Sequence, residues 1–306
     1  IISLSSLTTS PLWAQGQRYI FERLKSVRHK FSVNTLATDE HGRLWFSTMG
    51  RGAFCYDGYN YFRYKTDSDN PNSLSNDRVY ALLPDSKQRV WFATLNGLCY
   101  LDRRTDKIQR FMSYQDSVRQ FNALFEDRSG TVWIGSNRGM FRFNEDSQSL
   151  VKIPIVPEKK MRGLVFCFYE DKQGTLWSGR NDGIYKFSAE RQHYAQLPLD
   201  VPEEKGVKIP ANVLFEDSRS NFWVGGAQGL FIFDQNQEKA TRASLPDSLA
   251  YRHITSLIET TDGALWIGFS KDGLARWDRQ NNSFQRFRNS SRDPYSRPQD
   301  YVLSLK

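Results

Sequence analysis

Phe125-Glu126-Asp127-Arg128-Ser129-Gly130-Thr131-Val132-Trp133-Ile134-Gly135-Ser136-Asn137-Arg138-Gly139-Met140 contains a strand end, a turn, a strand, a second turn and the start of another strand. Asp127 opens a tight turn, and Gly130 stands where the backbone needs positive φ. Thr131 to Gly135 carries the β-branched and aromatic residues of a strand. A second turn ends at Gly139, and Gly139 to Phe143 alternates as a third strand. The pattern recurs along the chain around Trp45, Trp91, Trp177, Trp223 and Trp266, at spacings of 46, 42, 44, 46 and 43 residues. Six positions before each Trp stand Asp39, Asp85, Asp127, Asp171, Asp217 and then Thr260. Three before it stand Gly42, Gln88, Gly130, Gly174, Ser220 and Gly263, and six or seven after it stand Gly52, Gly97, Gly139, Gly183, Gly229 and Gly273. Three coupled columns over six copies define a repeat of about 44 residues.

Each copy reads as four short strands. The first is apolar, as in Val79 to Leu83 or Ile254 to Ile258. The fourth follows the third closely, as in Tyr61 to Tyr64, Ile108 to Phe111 and Phe284 to Phe287. No helical periodicity competes. Four-stranded repeats of this length predict an all-β fold, a β-propeller. One blade has two apolar faces and cannot bury them alone, whereas a ring of blades buries every face. A buried Trp contributes about 4–6 kcal/mol gross by area, so the Trp column is read as packing. Tyr19 to Leu24 looks like a fourth strand and Tyr301 to Leu305 like a first strand. Joined in one blade they would close the ring. The expectation is therefore about seven blades over residues 15–306, the last incomplete in this chain, within a longer natural protein.

The 306 residues carry a formal net charge of +8, a pI near 9.3 and a mean hydropathy of −0.61. The basic stretches Lys25 to Lys30 and Lys159 to Arg162 are short, and no basic helix, finger or aromatic platform points to nucleic acid. Cys55, Cys99 and Cys167 fall in strands and suit buried thiols rather than a disulfide framework or a metal site. Ile1 to Ala14 is uncharged, and Leu12-Trp13-Ala14 before Gln15 looks like the end of a secretory signal, so residues 1–14 are read as its remnant. No stretch of 18 apolar residues follows.

Phe125 to Met140, Glu170-Asp171-Lys172-Gln173-Gly174-Thr175-Leu176-Trp177 and Asp262-Gly263-Ala264-Leu265-Trp266-Ile267-Gly268 resemble the two-component regulator propeller repeat. The resemblance spans about residues 19 to 305. Gln88 and Ser220 depart from it at the turn Gly, Thr260 at the turn Asp and Ser178 after the Trp, which puts those turns and contacts in question. The resemblance implies the periplasmic sensor region of a hybrid two-component histidine kinase, in an inner-membrane receptor of a Gram-negative bacterium. In such receptors two seven-bladed propellers precede a β-sandwich, a membrane helix and the kinase. Many sense oligosaccharides and signal to transcription, and the kinase acts as a dimer. Self-association follows, as does membrane attachment through a C-terminal part outside this chain.

The residues themselves favour a non-catalytic binding module with no cofactor. His29, His41, His193 and His253 occupy unrelated positions in the repeat, and the repeated aspartates are explained as turn-starters. A propeller lyase or glycoside hydrolase, which three axial carboxylates could build, stays open as an alternative. So does a protein-interaction scaffold, although the Trp is followed by Ile, Phe, Val or Ser rather than the Asp of Trp-Asp repeats. In an antiparallel meander the second-to-third turns share a face with the connections between blades. That face varies most, and loops on a rigid scaffold are where binding residues sit. The candidates are Arg51, Asn96, Arg138, Arg180, Asn181, Gln228 and Lys271, whose forks and amides suit sugar hydroxyls and carboxylates. The basic balance favours an acidic oligosaccharide.

Overall fold

The computed structural model describes residues 33–111, 120–157, 163–197, 209–289 and 302–305 in full, and the backbone of 2–7 and 18–23. The basic stretches at Lys25 and Lys159 and the cleavage-like Leu12 to Gln15 lie outside the described residues, as does Tyr301.

Six four-stranded antiparallel sheets follow one another along the chain, each a meander in sequence order. Blade 1 comprises Val33–Thr38, Leu44–Thr48, Ala53–Tyr56 and Tyr61–Tyr64; blade 2 comprises Val79–Pro84, Arg89–Thr94, Gly97–Asp102 and Lys107–Phe111. Blade 3 comprises Phe121–Glu126, Val132–Ser136, Gly139–Asn144 and Ser149–Ile153; blade 4 comprises Val165–Glu170, Leu176–Arg180, Gly183–Phe187 and Tyr194–Leu197. Blade 5 comprises Val213–Glu216, Phe222–Gly226, Gly229–Asp234 and Lys239–Arg242; blade 6 comprises Ile254–Glu259, Leu265–Phe269, Leu274–Asp278 and Ser283–Phe287. First strands of successive blades are neighbours from blade 1 to blade 6, so they line the axis. A single helical turn, Asp247–Ala250, precedes blade 6 and is too short to show a helical period.

The blade count corrects the expectation of about seven: six are present among the described residues. The segment around Tyr19 does not complete a blade. Arg18–Arg23 pairs instead with Ile2–Leu7 in a separate two-stranded sheet. Val302 to Leu305 forms no strand, although it lies where a further first strand would lie. Val302 N–H donates to the Phe269 carbonyl at 3.0 Å, as Ala211 N–H does to the equivalent Arg180 carbonyl at 2.8 Å. Val302 also joins Trp266 and Leu274 in a small apolar cluster. One such segment presents neither the ladder nor the second apolar face that a blade needs.

The Trp column is buried, with relative exposures of 0 to 4%. Each of the first five indoles reaches into the next blade. Trp91 packs on Phe143 at 4.9 Å, Trp133 on Phe187 at 5.1 Å, Trp177 on Phe233 at 6.0 Å and Trp223 on Trp277 at 5.8 Å. These partners share one position in the third strand. In blade 2 that position is Leu101, and Trp45 meets Phe92 instead at 6.4 Å.

A buried indole also needs an acceptor for its N–H. The turn aspartates supply it. Nε1 of Trp45, Trp91, Trp133, Trp177 and Trp223 donates to Oδ2 of Asp39, Asp85, Asp127, Asp171 and Asp217 at 2.7–2.9 Å. The other oxygen closes the turn: Asp127 Oδ1 accepts the N–H groups of Ser129 and Thr131 at 2.9 and 3.0 Å. These carboxylates are at most 9% exposed. In blade 6 Thr260 holds the turn differently, through its hydroxyl to Asp262 Oδ1 at 2.6 Å. Gln88 and Ser220 keep the turn despite lacking glycine, at φ 62° and 64° against 79° for Gly130.

Successive blades are also clasped by carboxylates on this turn face. Glu126 accepts the Ser86 N–H, Glu170 that of Arg128, Glu216 that of Lys172 and Glu259 that of Ser218, at 2.7–3.0 Å. Each Glu ends a first strand and reaches back to the preceding blade's turn. Pro84 holds this place in blade 2, and there Arg103 bonds Asp39 across the interface at 2.9 Å.

Burial alone would raise the Asp127 carboxyl. The bonds from Ser129, Trp133 and Thr131 and the Arg191 guanidinium outweigh it and hold it below the usual range; Asp39 and Asp217 are lowered by similar sets. A depressed carboxylate contributes stability that is full above its unfolded pKa and is lost as pH falls through the folded one. The melting temperature is therefore expected to be flat near neutrality and to fall from about pH 4 downward. Asp127→Asn should lower it at pH 7, and that difference should shrink as pH falls below the ordinary carboxylate range, as a thermal-melt series would show. At the turn glycine, Gly130→Ser should cost about 1 kcal/mol while Ser220→Gly should not destabilise, as denaturant titration would read.

Candidate functional site

Strand direction leaves the opposite face to the second-to-third turns and the connections between blades. The turns in blades 1–3 are built alike. A hydroxyl at the end of the second strand accepts a turn N–H and donates to the turn glycine carbonyl. Thr48 takes the Arg51 N–H at 3.0 Å and gives to Gly52 at 2.8 Å; Ser136 does the same for Arg138 and Gly139, both at 3.0 Å. Thr94 serves Asn96 and Gly97. The backbone is thus tied down while Arg51, Asn96 and Arg138 remain exposed. This hydroxyl column, three residues after each Trp, was readable in the sequence and escaped notice because it stops at blade 3.

In blade 4 the equivalent residue is Arg180, and the structure corrects its placement. Arg180 ends the second strand rather than the rim turn and is 0% exposed. Its Nε donates to Asp182 Oδ1 at 3.2 Å, and its guanidinium lies 5.2 Å from the Tyr185 ring centroid. Tyr185 Oη donates to the other Asp182 oxygen at 2.9 Å, and Gln196 Nε2 to the Asp182 carbonyl at 2.6 Å. Arg180 therefore supports the turn that presents Asn181. Asn181 is exposed on one side and covers Gly163 on the other, where a Cβ would strike its amide. Gln228 is partly buried and Lys271 exposed.

Register places a second set of residues on this face. The first strands of blades 2, 3, 4 and 6 carry a bulge at their second residue: Tyr80, Asn122, Phe166 and Thr255. Blade 1 has a longer irregularity that includes Asn34. Bulges re-aim side chains, and these lie at the axial edge where each first strand begins. Asn34 Nδ2 donates to the Tyr80 carbonyl of the next blade at 2.5 Å. Thr255 Oγ1 donates to the Gly268 carbonyl at 3.0 Å and to that of Val302. Sequence reading missed this ring because the bulge breaks the alternation by which inward and outward residues are told apart. Buried polar atoms without a hydrogen-bond partner gather on the same face: Asn122 Oδ1, Asn137 Oδ1, Gln228 Oε1 and His253 Nε2. Such atoms are rare in proteins and mark places where a partner is missing.

Among the described residues no three His, Cys, Asp or Glu side chains gather as metal ligands. His41 and His193 belong to turns of the other face, while His253 precedes blade 6 and burial lowers its pKa. Cys55 and Cys99 are buried, and burial pushes both thiols up to about 11. Among the described residues no helix is long and apolar enough to cross a membrane.

A family model described as the two component regulator propeller matches residues 73–96 and 116–138. It is 24% identical to "Histidine kinase P4" of Formosa agariphila over 42% of this chain and 13% of that protein. In structure it is similar to the extracellular domain of a putative hybrid two component system from B. thetaiotaomicron, with a TM-score of 0.75 and 19% identity over 94% of this chain and 39% of that one. A second such domain from the same organism gives 0.71 and 20% over 90% and 35%. Virginiamycin B lyase from Staphylococcus aureus gives 0.66 and 13% over 94% and 88%. At these identities the structural likenesses establish the propeller fold, and the chain spans well under half of the curated and hybrid-system relatives.

The burial difference within the rim has a measurable consequence. Arg138→Ala and Asn181→Ala are expected to leave stability within about 0.5 kcal/mol of the parent, as exposed positions do. Arg180→Ala, which removes a buried guanidinium from Asp182 and Tyr185, should cost about 3 kcal/mol or more by denaturant titration.

Proposed function

We propose that this propeller is the ligand-sensing, non-catalytic domain of a two-component sensor histidine kinase, exposed outside the cytoplasmic membrane in the periplasm and recognising an oligosaccharide. The match of its repeats to the two component regulator propeller carries the reading. The likeness to extracellular domains of hybrid two component systems supports it. In the receptor, ligand binding would pass through parts beyond this chain to a dimeric kinase and on to transcription.

The ligand face is the one bearing Arg51, Asn96, Arg138, Asn181, Gln228 and Lys271. Its backbone is held by the hydroxyl column and by Arg180 from beneath, while the side chains differ from blade to blade. Amides and guanidinium forks meet sugar hydroxyls with directed hydrogen bonds. The basic balance favours a glycan carrying acidic groups.

Calorimetry of the purified protein against a panel of neutral and acidic oligosaccharides tests this reading. Binding of one class without release of product is expected. Arg138→Ala should weaken that binding by about 1.5–3 kcal/mol if its guanidinium bonds the ligand, and Asn181→Ala by about 0.5–1.5. Turnover of any glycan would replace the sensor with a lyase or hydrolase. Unchanged affinity in both variants would move the site off this rim.

A further inference from the structure

The part of the rim shared by blades 5 and 6 has an unusual charge arrangement. Three guanidinium groups converge on one carboxylate. Arg286 and Arg288 both donate to Asp272 Oδ1, at 2.8 and 2.6 Å. Arg252 lies 3.5 Å from Oδ2. Lys271 is adjacent and exposed. Asp272 is 13% exposed, whereas the side chains of Arg252 and Arg288 are 51% and 50% exposed.

An ion pair that served only to hold the turn would need one cation. Guanidinium groups do not deprotonate in proteins, so among the described residues one carboxylate leaves this cluster with a surplus of positive charge before Lys271 is counted. The crowding is felt at Arg286. Burial, and then the neighbouring Arg288 and Arg252, push its pKa below the usual arginine value despite Asp272. Each guanidinium has five N–H donors, and among the described residues few of these have a protein acceptor.

Beside the cluster stands Tyr251, 68% exposed. Its ring centroid lies 4.2 Å from the Arg242 guanidinium, which is also 4.6 Å from the Phe231 ring. Arg242 is itself anchored, donating to the carbonyls of Gln228 at 2.6 Å and Ala250 at 3.2 Å. Tyr251 is therefore held in place by a cation rather than sunk into the core. Two buried polar atoms without partners, Gln228 Oε1 and His253 Nε2, belong to the same segments. Surplus cations, a presented aromatic ring and unmet polar atoms together describe a receptor for a ring that carries an anion.

We propose that Arg252, Arg286 and Arg288 form an anion subsite for the carboxylate or sulfate group of an acidic sugar, with Tyr251 against the sugar ring. This rests on the ligand-sensing reading above. Arg–oxyanion bonds are short, directional and often bidentate, which suits both groups. Asp272 keeps the arginines gathered when the site is empty and competes weakly with the incoming anion. Binding should fall as salt rises, since the cluster is half exposed.

The test is calorimetry of the full chain with four probes: a sulfated disaccharide, a uronate-bearing disaccharide, their neutral counterpart and inorganic sulfate. The double variant R252Q/R288Q changes two exposed side chains, and its melting temperature serves as the folding control. At least one acidic disaccharide should bind the parent more tightly than the neutral one and lose tenfold or more in the double variant. The neutral disaccharide should bind both proteins equally. Asp272→Asn, which removes the internal competitor, should tighten the acidic disaccharide several-fold, a gain that a purely structural Asp272 would not produce. Which acidic probe responds tells sulfate from carboxylate. Equal binding of acidic and neutral disaccharides, unaffected by the double variant, would overturn the subsite while leaving glycan sensing intact. Inorganic sulfate binding as tightly as the sulfated disaccharide would overturn the sugar contact at Tyr251. Failure of every saccharide to bind would overturn the sensing reading for this propeller, and the subsite with it.

Discussion

A carboxylate buried beneath each of the first five blades' opening turns takes the N–H of an indole buried between blades, and most of the architecture depends on that bond. Without it the Trp could not be buried with its donor satisfied, and the first-to-second turn would lose the acceptor for its amides. Asp127 shows the economy of the device. Oδ2 meets Trp133 at 2.7 Å while Oδ1 meets the N–H groups of Ser129 and Thr131. The same side chain thus shapes the turn and places the largest side chain of the blade. The indole then packs on the third strand of the next blade, so a local turn sets an interface between blades.

Around this unit the turn face is repetitive for a physical reason. The clasp from Glu126, Glu170, Glu216 or Glu259 to the preceding blade requires the same backbone amide at the same height in each of the four turns it reaches. Change one turn and two blades lose their registry. The connector face has no such obligation. Its turns are closed by Thr48, Thr94 or Ser136 or, in blade 4, by the Arg180–Asp182–Tyr185 set, and their bonds to the next blade's segment, such as Gly52 N–H to the Asp77 carbonyl and Ala211 N–H to the Arg180 carbonyl, run through the backbone. Side chains there can change without disturbing a neighbour, which is the condition under which a binding surface can be tuned. The arginine cluster on Asp272 and the partnerless polar atoms fall on this face, and none of them is needed to hold blades together.

The blade identity, the strand order and the burial of the Trp column were legible because they rest on short-range chemistry repeated six times. Asp, Gly and Trp at constant spacing announce a turn, a positive φ and a buried ring before any contact is known. The divergent turns were less transparent. Gln88 and Ser220 look like breaks in the pattern, yet their backbones adopt the same left-handed conformation as the glycines they replace. The polar rim residues were correctly assigned to turns by strand direction, except Arg180, whose burial against Tyr185 depends on a third-strand neighbour that spacing does not reveal. The number of blades was not legible either, because a segment with strand-like composition pairs with whatever edge is near. Arg18–Arg23 found Ile2–Leu7.

The sequence by itself thus determined the repeating unit, since each unit is specified by residues within about 20 positions of its Trp. What required the tertiary structure is everything made between units. The glutamate clasps and the axial ring that begins with Asn34 and Tyr80 join residues far apart in the chain or turned by a bulge, while the Asp–Trp bonds and the meeting of Arg252, Arg286 and Arg288 on Asp272 depend on side-chain partners that spacing does not name. Periodicity reports which face of a strand is buried, but not which neighbour lies against it. That neighbour is fixed only when the blades come together around the axis.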